Sequence, residues 1–103
     1  MAKADIMAGA CGFKTFVTAT LEDRRCRLTI ESDCKAIQKL ASELTNVDPL
    51  KEIALKRGMP QTLEMGAKHC IHAACPVPVA IIKTVEVAAG LNLPVDASIK
   101  LSK

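Results

Sequence analysis

Five cysteines stand at positions 11, 26, 34, 70 and 75, with histidines at 69 and 72, and these are the side chains best suited to chemistry. Thiolates and imidazoles are soft donors that hold zinc or iron–sulfur clusters, and a thiolate is also a nucleophile. Their settings differ. Cys26 falls on the core side of an alternating run beside Leu28, where a small thiol packs as an inert hydrophobe. Cys11 lies beside Gly12 in a turn before a strand, and Cys34 follows Asp33 at the start of an amphipathic helix. Cys75 precedes Pro76 and so caps, or nearly caps, the most apolar helix. Helix N-termini carry partial positive charge and free N–H groups, which favour a thiolate and any anion attached to it.

The run His69-Cys70-Ile71-His72-Ala73-Ala74-Cys75-Pro76 is the densest set of ligand-type residues. Closed in space with Cys11 and Cys34, it would supply four ligands: the thiolates of Cys11, Cys34 and Cys75, with His72 or Cys70 as the fourth. Such a set suits an iron–sulfur cluster or a tetrahedral zinc. No Cys-x-x-Cys pair is present, so the fold itself would have to assemble the site. The protein would then be a non-enzymatic carrier, sensor or accessory subunit working with a protein partner. Two other readings stand beside this one. Cys34 or Cys75 could be an activated thiolate for redox or sulfur-transfer work. Alternatively, the thiols are packing alone, no cofactor is bound, and the chain is an interaction module whose apolar helix forms a homodimer.

Composition excludes other chemistries. Phe13 and Phe16 are the only aromatics, so the stacking platform of a single-strand binder is missing and no nucleic acid is expected. The net charge is +3, and its one cluster, Arg24, Arg25 and Arg27, reads as a solvated hairpin tip. Gly9-Ala10-Cys11-Gly12 matches no phosphate-binding loop. Glu64, Glu86 and Asp96 show no pairing suited to acid–base work. The start of the chain has no apolar stretch of the signal-peptide kind, which points to the cytoplasm and to reduced thiols. Ala73 to Val95 is the most apolar stretch, but Lys83 and Glu86 interrupt its middle and Pro76, Pro78, Asn92 and Pro94 its ends. It therefore reads as a buried helix, not a membrane span.

These residues need a scaffold, and the hydrophobic periods outline one. At 103 residues the chain is a single domain over 1–103, half of it hydrophobic. From Phe13 the period is two: Thr15, Val17, Ala19 and Leu21 share a face, Glu22-Asp23-Arg24 reverses the chain, and Cys26, Leu28 and Ile30 alternate on the return. This is an antiparallel hairpin with one wet face. A further strand is expected before it, from Ala2 to Ala8. Then Ile37, Leu40, Ala41, Leu44 and Val47 take helical spacing, ended by Asn46 and Asp48-Pro49. Helices follow from Pro49 to about Lys56, from Gln61 to about His69, and from Pro76 to Gly90. Val95, Ala97, Ile99 and Leu101 alternate again as a last strand. The expected fold is α+β: a two-layer sandwich of order β-β-β-α-α-α-α-β, its mostly antiparallel sheet covered by helices on one face.

Five segments carry a resemblance: Ala10-Cys11-Gly12-Phe13, Ser32-Asp33-Cys34, Val47-Asp48-Pro49, His72-Ala73-Ala74-Cys75-Pro76-Val77-Pro78 and Gly90-Leu91-Asn92-Leu93-Pro94. Together they resemble a family of small uncharacterised prokaryotic proteins found mainly in anaerobes. The resemblance spans nearly the whole chain and implies no settled activity. It singles out Cys11, Cys34, His72 and Cys75, and it leaves out Cys26 and Cys70, so it favours His72 over Cys70 as fourth ligand. An anaerobic setting would suit an oxygen-sensitive cluster.

Overall fold

The computed structural model describes all residues, Met1 to Lys103. Strands β1 (Ala2–Met7), β2 (Lys14–Glu22) and β3 (Arg25–Ser32) form an antiparallel meander. The β2–β3 turn is two residues long, with Asp23 in the left-handed region at φ 58°. Its register sets Val17 against Ile30 and Ala19 against Leu28, while β1 sets Ala4 against Val17. Apolar side chains thus align on one face. Lys3, Asp5, Lys14 and Phe16 take the other, which is open to solvent.

Helices α1 (Lys35–Glu43), α2 (Pro49–Glu52), α3 (Gln61–His69) and α4 (Val77–Ala88) follow, with a 3-10 turn at Leu55–Arg57. The architecture is α+β. Ile37, Leu40 and Leu44 from α1 and its end meet Val77, Ile81 and Val85 from α4 over the buried side of the sheet. Helix α4 lies across β1 and β2, and α1 lies along β3. The C-terminus of α4 closes with two main-chain bonds, Gly90 N–H to Val87 O at 3.1 Å and Leu91 N–H to Glu86 O at 2.9 Å. Those bonds satisfy carbonyls that a bare helix end would leave unpaired, with Gly90 at φ 72° making the turn.

Three expectations change. The expected last strand is not in the sheet: Leu91 to Lys103 are exposed, and no main-chain hydrogen bond links residues beyond Val95 to anything. Alternation marks a segment able to pair, but pairing also needs a partner, and none of this chain lies beside it. The fourth strand is instead β4 (Asn46–Val47), which pairs with Cys26 and Arg27 and is too short to show a period. Arg25 fastens it, donating from Nε to Asn46 Oδ1 and from its terminal nitrogen to Asn46 O at 3.2 Å. The helix expected to reach Lys56 stops at Glu52, whose side chain turns inward.

Candidate thiol site

One end of the structure gathers the chemistry. At the close of β3, Ser32 is an anchor: its hydroxyl lies 2.8 Å from Thr15 Oγ1 and accepts the Cys34 N–H at 3.1 Å. Gln38, one turn into α1, donates to Ser32 O at 2.8 Å. Cys34 is thereby fixed as the N-cap of α1. Its thiol makes no capping bond and packs half-buried against the core.

Helix α3 is held at both ends by carboxylates from other elements. The Glu52 carboxylate is buried at 3% exposure, yet it is satisfied. It accepts the N–H groups of Gln61 at 2.8 Å and Thr62 at 2.9 Å, together with the Thr62 hydroxyl. These are first-turn donors with no partner inside the helix, so Glu52 caps α3 from a distance. At the other end, Glu43 of α1 pairs with Lys68 at 2.8 Å and with His69. The hydrogen bonds from Lys68 and His69 hold the Glu43 carboxyl below its usual range. His69 is therefore part of a tie between helices rather than a free surface residue.

Cys70 ends α3, its N–H bonded to Gly66 O at 2.9 Å. A turn follows, in which Cys75 N–H meets His72 O at 3.3 Å, and Pro76 rather than Cys75 occupies the N-cap of α4. The expected helix start is thus displaced by one residue. Burial first, then the charge of Cys75 and a hydrogen bond with it, and then the charge of Cys34 push the Cys70 thiol up to about 11. Cys70 is thus the thiol on which Cys75, and more weakly Cys34, act. Cys70, His72 and Cys75 also line a half-open groove of about 400 Å³, walled by Leu63, Gly66, Ala67 and Pro78.

Cys70, held back as a substitute, shares the groove with Cys75 and His72, while Cys34 caps the start of α1. Position was the overlooked signal: Thr62, Gly66 and Cys70 fall four residues apart along the inner side of α3, where Thr62 and Gly66 are buried. His72 is exposed at the groove, and Cys11 is exposed in the turn closed by Gly12 N–H to Gly9 O at 2.9 Å. That turn links β1 to β2 at the Met7–Lys14 end of the sheet. The turn carrying Cys34 leaves from the same end, since Asp33 N–H bonds to Lys14 O at 3.3 Å. No group of three or more His, Cys, Asp or Glu side chains is arranged to hold a metal ion. Cys26 is wholly buried in the core, and that burial raises its thiol.

No helix is long and apolar enough to cross a membrane. No curated protein and no solved structure matches the chain. A family model described as a family of unknown function matches residues 2–101. The chain belongs to that family, DUF6951.

Proposed function

We propose that the protein holds a soft metal centre, zinc or an iron–sulfur cluster, on Cys34, Cys70 and Cys75, with His72 or Cys11 completing the set. It serves as a carrier, sensor or accessory subunit working with a protein partner. The observation that carries this reading is that the half-buried Cys70 and Cys75 line one groove together with His72. Thiolates crowded in this way repel one another, and a bound cation reverses that repulsion and deprotonates its ligands outright. Binding draws the sulfurs inward and releases their protons, so affinity rises with pH. His72 stands on the groove beside Cys70 and Cys75, while Cys11 can reach the centre only from its exposed turn. The test is anaerobic purification followed by a visible spectrum and assays for iron, zinc and acid-labile sulfide. About one centre per chain supports the reading. Metal-free protein that no reconstitution can load overturns it.

The shared groove of Cys70 and Cys75, five residues apart, favours a second reading, thiol redox work. Here Cys75 acts as the nucleophile and Cys70 as its partner. The two sulfurs join as a disulfide, and two protons and two electrons pass to an external disulfide acceptor. Oxidised glutathione is the probe: a Cys70–Cys75 bond found by peptide mass mapping in metal-free protein supports it, and stable mixed disulfides alone do not.

A further inference from the structure

The geometry points to a reciprocal exchange of strands between two copies of this chain, in which the arm at residues 95–101 of each adds to the outer edge of β1 in the other. This is independent of any metal at the thiols. Strand β1 pairs only with β2, so the outward N–H and C=O groups of Ala2–Met7 form an open edge. At the opposite margin β4 pairs with Cys26 and Arg27, and Thr45 O accepts the Leu28 N–H, so part of that edge is occupied. Open edges of this length are ready templates for another strand.

The arm is built like a strand that lacks its neighbour. Val95, Ala97, Ile99 and Leu101 alternate with Asp96, Ser98 and Lys100, and neither Gly nor Pro interrupts them. Val95 is 73% exposed, Ile99 80% and Leu101 90%, and the main chain beyond Val95 makes no hydrogen bond. Apolar side chains this bare at period two call for burial on one face. Strand β1 offers the matching alternation: Ala2, Ala4 and Ile6 turn to the helix side, and Lys3, Asp5 and Met7 to the wet side. Pairing continues the core with the arm's apolar row. It also sets Asp96 and Lys100 on the face that carries Lys3 and Asp5, one charge of each sign on each strand.

That complementarity lies within one sequence, so a second copy meets both needs at once. A two-fold axis then gives two added strands per dimer, which cover both β1 edges and leave neither arm bare. Pro94 begins the arm just after the closing turn of α4, and its exposed row shows that it stands clear of its own β1.

The test uses the full chain, reduced, in sedimentation equilibrium, with amide exchange to read the strands. A dimer of the 11.0 kDa chain is expected, with slow exchange at both Ala2–Met7 and 95–101. Ile99→Pro removes a main-chain donor from an exposed arm and so leaves the monomer's circular dichroism unchanged. It should weaken dimerisation roughly a hundredfold. In the register that sets Asp96 opposite Lys3, Lys3→Asp with Asp96→Lys should associate more tightly than either change alone. A monomer at every concentration, or a dimer that Ile99→Pro does not weaken, overturns the proposal. So does a monomer whose arm is protected, because its own β1 is then the partner.

Discussion

Gly66 of α3 lies so close to Pro78 of α4 that a methyl group on Gly66 would come within 2.8 Å of the proline Cγ. A proline ring has little freedom to yield, so one missing side chain sets the separation of the two helices that end and begin at the thiol loop. The spacing of Cys70 and Cys75 is in this sense a main-chain property.

Gly66→Ala should therefore destabilise the protein. Alanine gains about 1 kcal/mol in a helix interior, whereas overpacking costs about 1–3 kcal/mol, so the clash prevails. Denaturant midpoints check the sign. Pro78→Ala in the same chain should return most of the loss, as a double-mutant cycle reads it.

Removing the remote cap should also be costly. Glu52→Ala leaves the first turn of α3 without its buried acceptor, and hydrogen bonds to a charged group contribute about 1.5–3 kcal/mol each. A loss of roughly 3 kcal/mol by urea titration is expected, with α3 amides exchanging first. An effect below about 0.5 kcal/mol, the range of an ordinary surface change, would show that the cap has little weight.

Alkali should weaken the metal-free fold. Folding raises Cys70 from an ordinary 9.0 to about 11, so between those values the native state keeps a proton that the unfolded chain has released. That contribution is complete below 9.0 and is lost as pH rises towards 11. Cys26 shifts in the same direction, through burial. Urea midpoints under reducing conditions should fall across this window, and Cys70→Ala should flatten the decline. Cys75→Ala removes the charge and hydrogen bond that help raise Cys70, so Cys70 should alkylate at lower pH than in the parent.

Serine substitutions should separate site from core. Cys34→Ser, Cys70→Ser and Cys75→Ser should each reduce bound metal, measured by elemental analysis, while leaving the fold. Cys26→Ser should do the opposite, because a hydroxyl in that buried place costs about 1–3 kcal/mol and touches no ligand.

Much of the scaffold was legible because its periods are long. The hairpin through Val17 and Leu28 and the helix through Ile37 and Leu40 each repeat often enough to declare themselves, and each buries most of the predicted face, although Leu21 at the hairpin tip is exposed and Val47 leaves the helix for β4. Asn46–Val47 is too brief to alternate, and its strand character comes from Cys26 and Arg27 across from it. The run from Val95 to Leu101 has the opposite defect, a clear period with no partner in the chain. At the site, Cys34 and Cys75 stood out because helix starts carry sequence marks. Cys70 did not, because its place depends on Gly66 touching Pro78, a contact between residues twelve apart in sequence.

The depth of Cys26, wholly enclosed while Cys11 stands in solvent, grades the five thiols by the scale of motion needed to reach them. A labelling reagent takes Cys11 at once, takes Cys70 and Cys75 when the end of α3 loosens and Cys34 when the start of α1 does, and takes Cys26 only when the sheet itself opens. The chain therefore carries its own clock for unfolding, read by mass in the same tube as the local opening of the site.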